Sequence, residues 1–375
     1  MPLTLSTWLV LAANIGGTDT PALPPEASAL DPTYTFYGNL FARAEDERVF
    51  DVDGAIVDDV VRIRQVDVDI RASITEQVDA VLILSVESDL NNTEHELEFE
   101  RAYLRFRGLP IFHSAPWNLG FQVGHYRTHF GWSNQVPLTD IPQITRPRAL
   151  TQFFGDDGYA QMALGMSADI PFPSSENPIH FTFEQVESGD PPFTDLDTPS
   201  GRVSGQGFRL EWRGGSEDAS SLLLGASRFR GQQADEDARR STLHGVDALY
   251  SNTWREGGGA RGFFLGGEWI DSKLERTGAP ADEPSGYYVW SQLQVSETWY
   301  VGARYDVSQE LMDETMQTEA IGVFLSRVES ERMRYAFGIE SVESDVLELD
   351  GATRVYAELN FAFGDSIRTP FWVRR

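Results

Sequence analysis

Several features that define common protein classes are missing from this chain of 375 residues. It contains no cysteine, which excludes disulfide bonds, thiolate metal sites and cysteine nucleophiles. It has no run of about 18 apolar residues, so no transmembrane helix is predicted. Basic residues are scarce, with 30 Lys and Arg against 58 Asp and Glu, a formal net charge of −28. Because nucleic-acid binding needs a basic surface, this balance argues against it.

The motifs of common enzymes and metal proteins are also missing. There is no GxSxG elbow, and the glycines at 257–259 lie in a predicted turn and do not open a helix. His125 and His129 have a spacing that suits metal binding on a helix, but His125 is predicted at a strand end. A Ser-His-Asp set stays open, since such sets are recognised by geometry. The sequence therefore predicts no enzyme, no catalytic residue, no metal site and no cofactor.

What the chain does contain is a repeating alternation of apolar and polar residues, from about Tyr34 to Phe363. In VYAELNFAF, Val355, Leu359 and Phe361 fall on one face of a strand, whereas Glu358 and Asn360 fall on the other. Strands that are apolar on one face and polar on the other, repeated many times, are typical of a barrel with lipid outside and water inside. The predicted fold class is therefore all-β, a transmembrane antiparallel β-barrel.

The alternation and the turn residues predict about sixteen strands. An even number lets the first and last strands pair antiparallel and close the barrel. The predicted strands lie near 34–44, 60–74, 77–88, 95–107, 117–125, 158–170, 178–188, 205–214, 219–229, 242–254, 260–272, 285–296, 299–308, 317–327, 332–342 and 353–363.

Short and long connections alternate along the chain, which fits short periplasmic turns and longer extracellular loops. Tight connections are predicted at Thr75–Glu76, at Ser296–Thr298 and around Gly257–Gly259. Long polar loops are predicted at 45–59, 126–157, 189–204, 230–241, 273–284, 309–316 and 343–352. We expect residues 31–375 to form one barrel domain, preceded over 1–30 by a signal-like segment and a disordered, proline-rich lead-in.

The alternation also separates the two faces of the barrel. Val66, Val68 and Ile70 are expected to face lipid, as are Phe208 and Leu210. A lumen lined by charges of both signs must be wet, because dry burial of so many charges would cost several kcal/mol each. The predicted lumen-lining residues are Asp67, Asp69, Arg71, Arg209, Glu211, Arg304, Asp306 and Glu358.

The longest segment between predicted strands, 126–157, differs chemically from the other loops. The other loops are acidic, whereas this one carries Arg127, His129, Arg146 and Arg148 together with aromatic residues and three prolines. Loops longer than about 12–15 residues are usually functional when they are ordered. Asp156 and Asp157 close the segment with charges of the opposite sign.

Within this segment, HFGWSNQ, ITRPRAL and FFGDDG resemble stretches of the porin-like families related to the anion-selective porins O and P. The chain as a whole resembles bacterial general and substrate-specific porins, which have sixteen strands and a third loop folded into the lumen. Two features depart from that pattern: FWVRR continues past Phe371 and Trp372, and there is no dense lysine ladder. Selectivity for phosphate is therefore not assumed.

The resemblance implies a channel in a Gram-negative outer membrane that lets small hydrophilic or charged solutes diffuse passively. Its partners would be outer-membrane lipid and lipopolysaccharide, small solutes or ions, and two further copies in a homotrimer. The resemblance also implies a constriction formed by Arg127, His129, Arg146, Arg148, Asp156 and Asp157. Such basic groups could contact carboxylate or phosphate groups of a solute.

Several alternatives stay open at this stage. Arg146 and Arg148 could simply tie the loop to carboxylates on the barrel wall. The acidic bulk would enrich cations at the channel mouth, so the sign of the selectivity is undecided. The acidity itself fits either solubility or divalent-cation bridging to lipopolysaccharide. A polysaccharide-export barrel, a plugged barrel, an outer-membrane β-barrel enzyme and a soluble β-rich protein are the competing functions.

Overall fold

The computed structural model describes residues 33–51, 54–88, 95–107, 118–155, 158–171, 177–188, 203–216, 219–233, 240–256, 259–275, 280–311, 314–345, 349–364 and 370–373. The predicted signal-like segment and lead-in lie outside the described residues, as do Asp156 and Asp157. In these ranges no helix is long and apolar enough to cross a lipid bilayer.

The described residues form one closed antiparallel barrel of sixteen strands. Each strand pairs with its neighbours in sequence, and β1 pairs with β16 to close the sheet. The strands are β1 (Thr33–Asp51), β2 (Gly54–Thr75), β3 (Val78–Ser88), β4 (His95–Phe106), β5 (Asn118–Arg127), β6 (Ala160–Ile170), β7 (Ile179–Ser188), β8 (Val203–Gly215), β9 (Ser220–Gln233), β10 (Arg240–Glu256), β11 (Gly259–Glu275), β12 (Ser285–Gln294), β13 (Trp299–Gln309), β14 (Gln317–Val328), β15 (Met333–Ser344) and β16 (Leu349–Gly364).

The predicted fold class and strand order are confirmed, but two predicted long loops are wrong. In place of the loop at 45–59, β1 continues to Asp51 and β2 begins at Gly54, with backbone pairing maintained up to the turn. The loop at 343–352 shrinks in the same way, since β15 ends at Ser344 and β16 begins at Leu349. Strands that project beyond the lipid need no apolar face, so their pairing continues where the alternation of side chains has stopped.

The outer face of the barrel is apolar and the inner face carries the charges. On the outer face of β14, Ile321 is 58% exposed and Val323 is 50% exposed. Phe324, on the inner face of the same strand, is buried. On β13, Arg304 and Asp306 are buried on the inner face, next to the outward-facing Val301 and Ala303. An apolar exterior on the strands whose side chains are described, around a closed sheet, is compatible with lipid, because every strand edge is paired.

The long segment after β5 folds into the lumen, and we call residues 128–159 loop 3. Its conformation is built from two 3-10 turns, Ser133–Gln135 and Leu138–Asp140, and the helix α1, Arg148–Phe154. Pro147 precedes α1, where its missing N–H costs nothing, and Gly155 ends it with a φ of 75° that favours glycine. Most loop 3 side chains are buried, although the segment has little regular structure.

The outer face yields a test of the membrane assignment. Val323→Arg should lower the free energy of unfolding in lipid vesicles by about 2–4 kcal/mol, because it places a charge near the middle of the lipid-facing belt. Glu319→Arg is the matched control, since Glu319 is exposed near the end of the same strand, and it should change stability by about 0–1 kcal/mol. Equal effects in a denaturant titration would contradict a lipid-embedded outer face.

Candidate functional site

Carboxylates on the inner wall hold the backbone and side chains of loop 3. Glu184 on β7 accepts the backbone N–H of His129 at 3.0 Å, and its other oxygen contacts Nδ1 of the same histidine. Glu268 on β11 accepts the backbone N–H of Ser133. Because a carboxylate accepts hydrogen bonds only, each of these side chains satisfies donors that the irregular loop backbone leaves unpaired.

Arginines on the opposite wall satisfy the carbonyl groups of loop 3. Arg334 on β15 donates from Nη2 to the Thr139 carbonyl at 2.6 Å. Arg304 on β13 donates to the Thr145 carbonyl, and to its Oγ1 at 2.9 Å. Loop 3 is therefore attached to both sides of the barrel and crosses the lumen.

Apolar contacts fix the position of loop 3 along the wall. Phe130 packs over Gly245 on β10, where an added Cβ would lie 2.8 Å from its ring. Ile144 packs over Gly338 on β15, where an added Cβ would lie 2.3 Å from Cδ1. Wall glycines at these two points make room for loop side chains, so a larger residue at either position would displace the loop.

Arg127 and Arg146, two of the predicted constriction residues, are buried in contacts within the protein. Arg127 donates to Glu100 Oε1 on β4, from Nε at 3.1 Å and from Nη2 at 2.8 Å. Arg146 donates to the carbonyls of Ser133 and Val136, each at 2.9 Å, and so joins the two ends of one turn of loop 3. Both guanidinium groups hold the shape of the loop.

Arg148 and His129, the other described constriction residues, retain some exposure to the lumen. The Arg148 side chain is 23% exposed and lies 3.4 Å from Glu340 on β15. The His129 side chain is 26% exposed and rests on Glu184. The structure therefore attaches Arg148 to a wall carboxylate, which is one of the two arrangements that the sequence left open. Arg148 and His129 lie against opposite walls, since Glu340 is on β15 and Glu184 is on β7.

All eight predicted lumen-lining residues lie on the inner side of the sheet. Six of them form ion pairs with neighbours on the same face, for example Arg209 with Asp247 at 2.6 Å and Arg304 with Asp306 at 2.6 Å. Arg71 donates to Asp69 at 2.7 Å but keeps 42% of its side chain exposed. The inner face is thus a network of paired charges, with Arg71 among its exposed members.

The exposed side of loop 3 faces strands β2 to β4. Gln135, Val136 and Pro137 are three consecutive partly exposed residues of the loop, and Arg101 on β4 donates to the Gln135 carbonyl at 3.4 Å. The exposed charges of the wall on this side are basic, Arg71 on β2 and Arg105 on β4, whereas Asp67 and Asp69 on the same inner face are buried. In the part of the chain that the structure describes, Arg105 contacts the Tyr103 hydroxyl and ring and has no carboxylate within ion-pair distance.

Four wall carboxylates that organise the site were absent from the sequence prediction: Glu100, Glu184, Glu268 and Glu340. Three of them follow the inner-face alternation of their strands, so strand alternation could have placed them in the lumen. Glu100 could not be placed in that way, because it occupies a shift in the register between β3 and β4.

Comparisons with known proteins identify the fold. No protein-family model and no curated protein matches the chain. The chain is similar to the structure of an anion-selective porin from Comamonas acidovorans, with 13% identity, 89% of this chain and 100% of that chain covered, and a TM-score of 0.59. It is also similar to OmpF of Salmonella typhi in complex with daunomycin, with 10% identity, 88% and 97% coverage and a TM-score of 0.58.

A third similar structure is the outer-membrane channel DcaP of Acinetobacter baumannii, with 9% identity, 88% and 97% coverage and a TM-score of 0.58. At such identities the similarity shows the fold, which is that of outer-membrane porins. The closed sixteen-stranded sheet with its apolar outer face is the architecture that the chain shares with these outer-membrane proteins.

The Glu100–Arg127 pair gives a test of how loop 3 begins. Arg127→Met should lower the free energy of unfolding by about 3 kcal/mol, because it leaves the Glu100 carboxylate buried without its main partner. The double variant Arg127→Met/Glu100→Gln should recover most of the loss, since both charges are then removed. A double variant as unstable as the sum of its single changes, in the same denaturant titration, would show that the two side chains are not coupled.

Proposed function

We propose that this protein is a porin-like channel through which small hydrophilic or charged solutes diffuse across the outer membrane, without catalysis or a cofactor. One observation carries the proposal: an ordered loop crosses the lumen, attached to β7, β11, β13 and β15 by hydrogen bonds to wall side chains. A loop held in this way narrows a wide barrel while leaving a wet, charged passage beside it.

We place the passage between Gln135–Pro137 of loop 3 and the wall formed by β2 to β4. The loop residues are partly exposed there, and the wall presents Arg71 and Arg105. Guanidinium groups that retain water can form charge-assisted hydrogen bonds with carboxylate or phosphate groups of a passing solute. The passage therefore prefers anions, in line with the anion-selective porin of similar fold.

The predicted constriction residues divide into two roles in this proposal. Arg127 and Arg146 set the position and shape of loop 3, because their donors are engaged by Glu100 and by loop carbonyls. Arg148 and His129 contribute exposed polar surface to the lumen. Asp156 and Asp157 lie outside the described residues, and their role as the opposing charge stays a prediction from the sequence.

The molecular surroundings follow from the same proposal. A similar structure is described as a trimer form, and we infer a homotrimer for this chain as well. Outer-membrane lipid and lipopolysaccharide surround the barrel, and the formal net charge of −28 favours divalent cations as bridges to anionic lipopolysaccharide. An exporter of acidic polysaccharide would need a continuous basic track, whereas the described inner arginines are mostly paired with carboxylates.

Conductance tests the channel directly. The detergent-purified protein, checked for folding by heat-modifiable migration on a gel, should give stable unit steps in a planar lipid bilayer. A membrane to which a boiled sample has been added serves as the control. If the folded protein gives no steps, the barrel is plugged or has another activity, and the channel proposal fails.

Selectivity tests the position of the passage. Arg71→Glu combined with Arg105→Glu should move the reversal potential in a salt gradient towards cation preference, because it reverses two charges beside the proposed passage. Arg332→Glu is the control: it makes one such Arg-to-Glu change in an exposed turn between β14 and β15, where salt screens it from the lumen. An unchanged reversal potential in the double variant would show that solutes do not pass along β2 to β4.

A further inference from the structure

The chain turns back into the barrel after β16. We call Pro370–Val373 the post-β16 segment; it forms a turn in which the Val373 N–H donates to the Pro370 carbonyl at 3.0 Å. Trp372 is 0% exposed, and Phe371 is partly buried. Their neighbours are inner-face residues of β11, β13 and β15, so this segment occupies the lumen.

Trp372 contacts the wall and loop 3 at the same time. Its ring packs edge-on against Tyr300 on β13, with ring centroids 5.1 Å apart, and the guanidinium carbon of Arg334 lies 5.3 Å from its ring centroid. Its Nε1–H donates to the Asp140 carbonyl of loop 3 at 3.0 Å. Because Arg334 also donates to the neighbouring Thr139 carbonyl, the tryptophan and the arginine together fix the middle of the loop.

Phe371 gives the segment a second contact with loop 3. Its ring lies edge-on to Trp132, with centroids 4.9 Å apart, and 6.2 Å from the ring of Phe264 on β11. Edge-to-face aromatic pairs of this kind are favourable beyond the apolar area that they bury. The post-β16 segment thus lies between loop 3 and the inner wall. Phe371 packs near the start of the first 3-10 turn, and Trp372 contacts the end of the second.

Near the short turns between strands, the two halves of the lumen differ in their exposure to water. On the side of β11 to β13, Phe264, Trp290 and Tyr300 are almost completely buried and belong to one apolar cluster with Trp372. On the side of β2 to β4, the inner residues farther from the turns are buried as well, but near the turns the Arg71 side chain is 42% exposed and Arg105 is exposed. A lumen that was uniformly open at this end would expose the inner residues of both halves alike.

We propose that the post-β16 segment is a second wall of the constriction, which closes the β11–β13 half of the lumen and holds loop 3 from the side opposite the passage. This inference rests on the proposed function, because it states where solutes are excluded. Phe371 and Trp372 are positioning residues in this arrangement: they act through loop 3 and determine the size of the passage without contacting the solute.

A reporter thiol tests the closed half, since the chain has no cysteine of its own. Gln292→Cys places a thiol on the inner face of β12 at a position that is 1% exposed. A small, charged, water-soluble thiol reagent should not modify this thiol while Trp372 is present. Adding Trp372→Ala should abolish the protection, whereas an Arg71→Cys reporter should react in both backgrounds.

Trp269→Ala is the matched control, because it removes the same side chain from the outer face of β11, where Trp269 is 42% exposed. It should leave the Gln292→Cys reporter protected. Phe371→Ala is the second variant if Trp372→Ala does not fold, and it should also expose the reporter. Protection that survives the change at the post-β16 segment in a folded barrel would overturn the proposal, as would a reporter that reacts with Trp372 in place.

Unit conductance separates this inference from the proposed function. Removal of the Trp372 side chain should shift the unit steps to a larger conductance, and Trp269→Ala should not. If the unchanged protein gives no steps while the thiol pattern is as expected, the channel proposal fails and the internal wall stands. If the unchanged protein conducts and Trp372→Ala leaves both conductance and thiol protection unaltered, the inference fails and the channel stands.

Discussion

Closure of the sheet between β1 and β16 is the constraint on which the rest of the structure depends. The two strands pair from Tyr37 opposite Gly364 to Phe50 opposite Gly351, so no strand edge is left to lipid. Closure also encloses the inner face. Charged side chains there must be satisfied by one another, by water or by a segment of the same chain. Loop 3 and the post-β16 segment are the segments that meet this requirement.

Several arginines of the lumen have a structural role that the amino-acid composition does not predict: they hold the backbone of loop 3. Arg146, Arg304 and Arg334 donate to main-chain carbonyls of loop 3, a segment with too little regular structure to satisfy its own backbone. A guanidinium group, with five donors in a planar fork, suits this task better than an ammonium group does. The chain contains a single lysine, Lys273, so 29 of its 30 Lys and Arg residues are arginines.

The strand order, the two faces and the identity of loop 3 could be predicted from the sequence because each depends on local alternation or on loop length. The alternation in VYAELNFAF, for example, separates Glu358, which is buried, from Val355 and Phe361, which are exposed. Features that depend on pairing with a distant strand could not be predicted. The register shift at Glu100 is one: it turns both Glu100 and Arg101 inward, where strict alternation would separate them.

The role of the residues after β16 could not be predicted either. In the sequence, Phe371 and Trp372 show only that the chain continues past the usual end of the last porin strand. Their partners on β11, β13 and loop 3 lie far away in the sequence. Burial of an aromatic pair beside a distant loop leaves no periodic signal. The acidic stretch at the end of β1 also lacks an apolar alternation, so the sequence predicts a loop where the backbone pairs with β2.

The contacts inside the barrel have a consequence for the kinetics of folding. Ser133 and Glu268 are 135 residues apart, Thr139 and Arg334 are 195 apart, and Asp140 and Trp372 are 232 apart. Interactions over such separations form late and slowly, because the entropy of closing a long loop is lost before any contact stabilises it. Docking of loop 3 must therefore wait until β11 and β15 are in place. A barrel that had closed with the loop outside would be a kinetic trap, since reopening it would break the whole β1–β16 ladder.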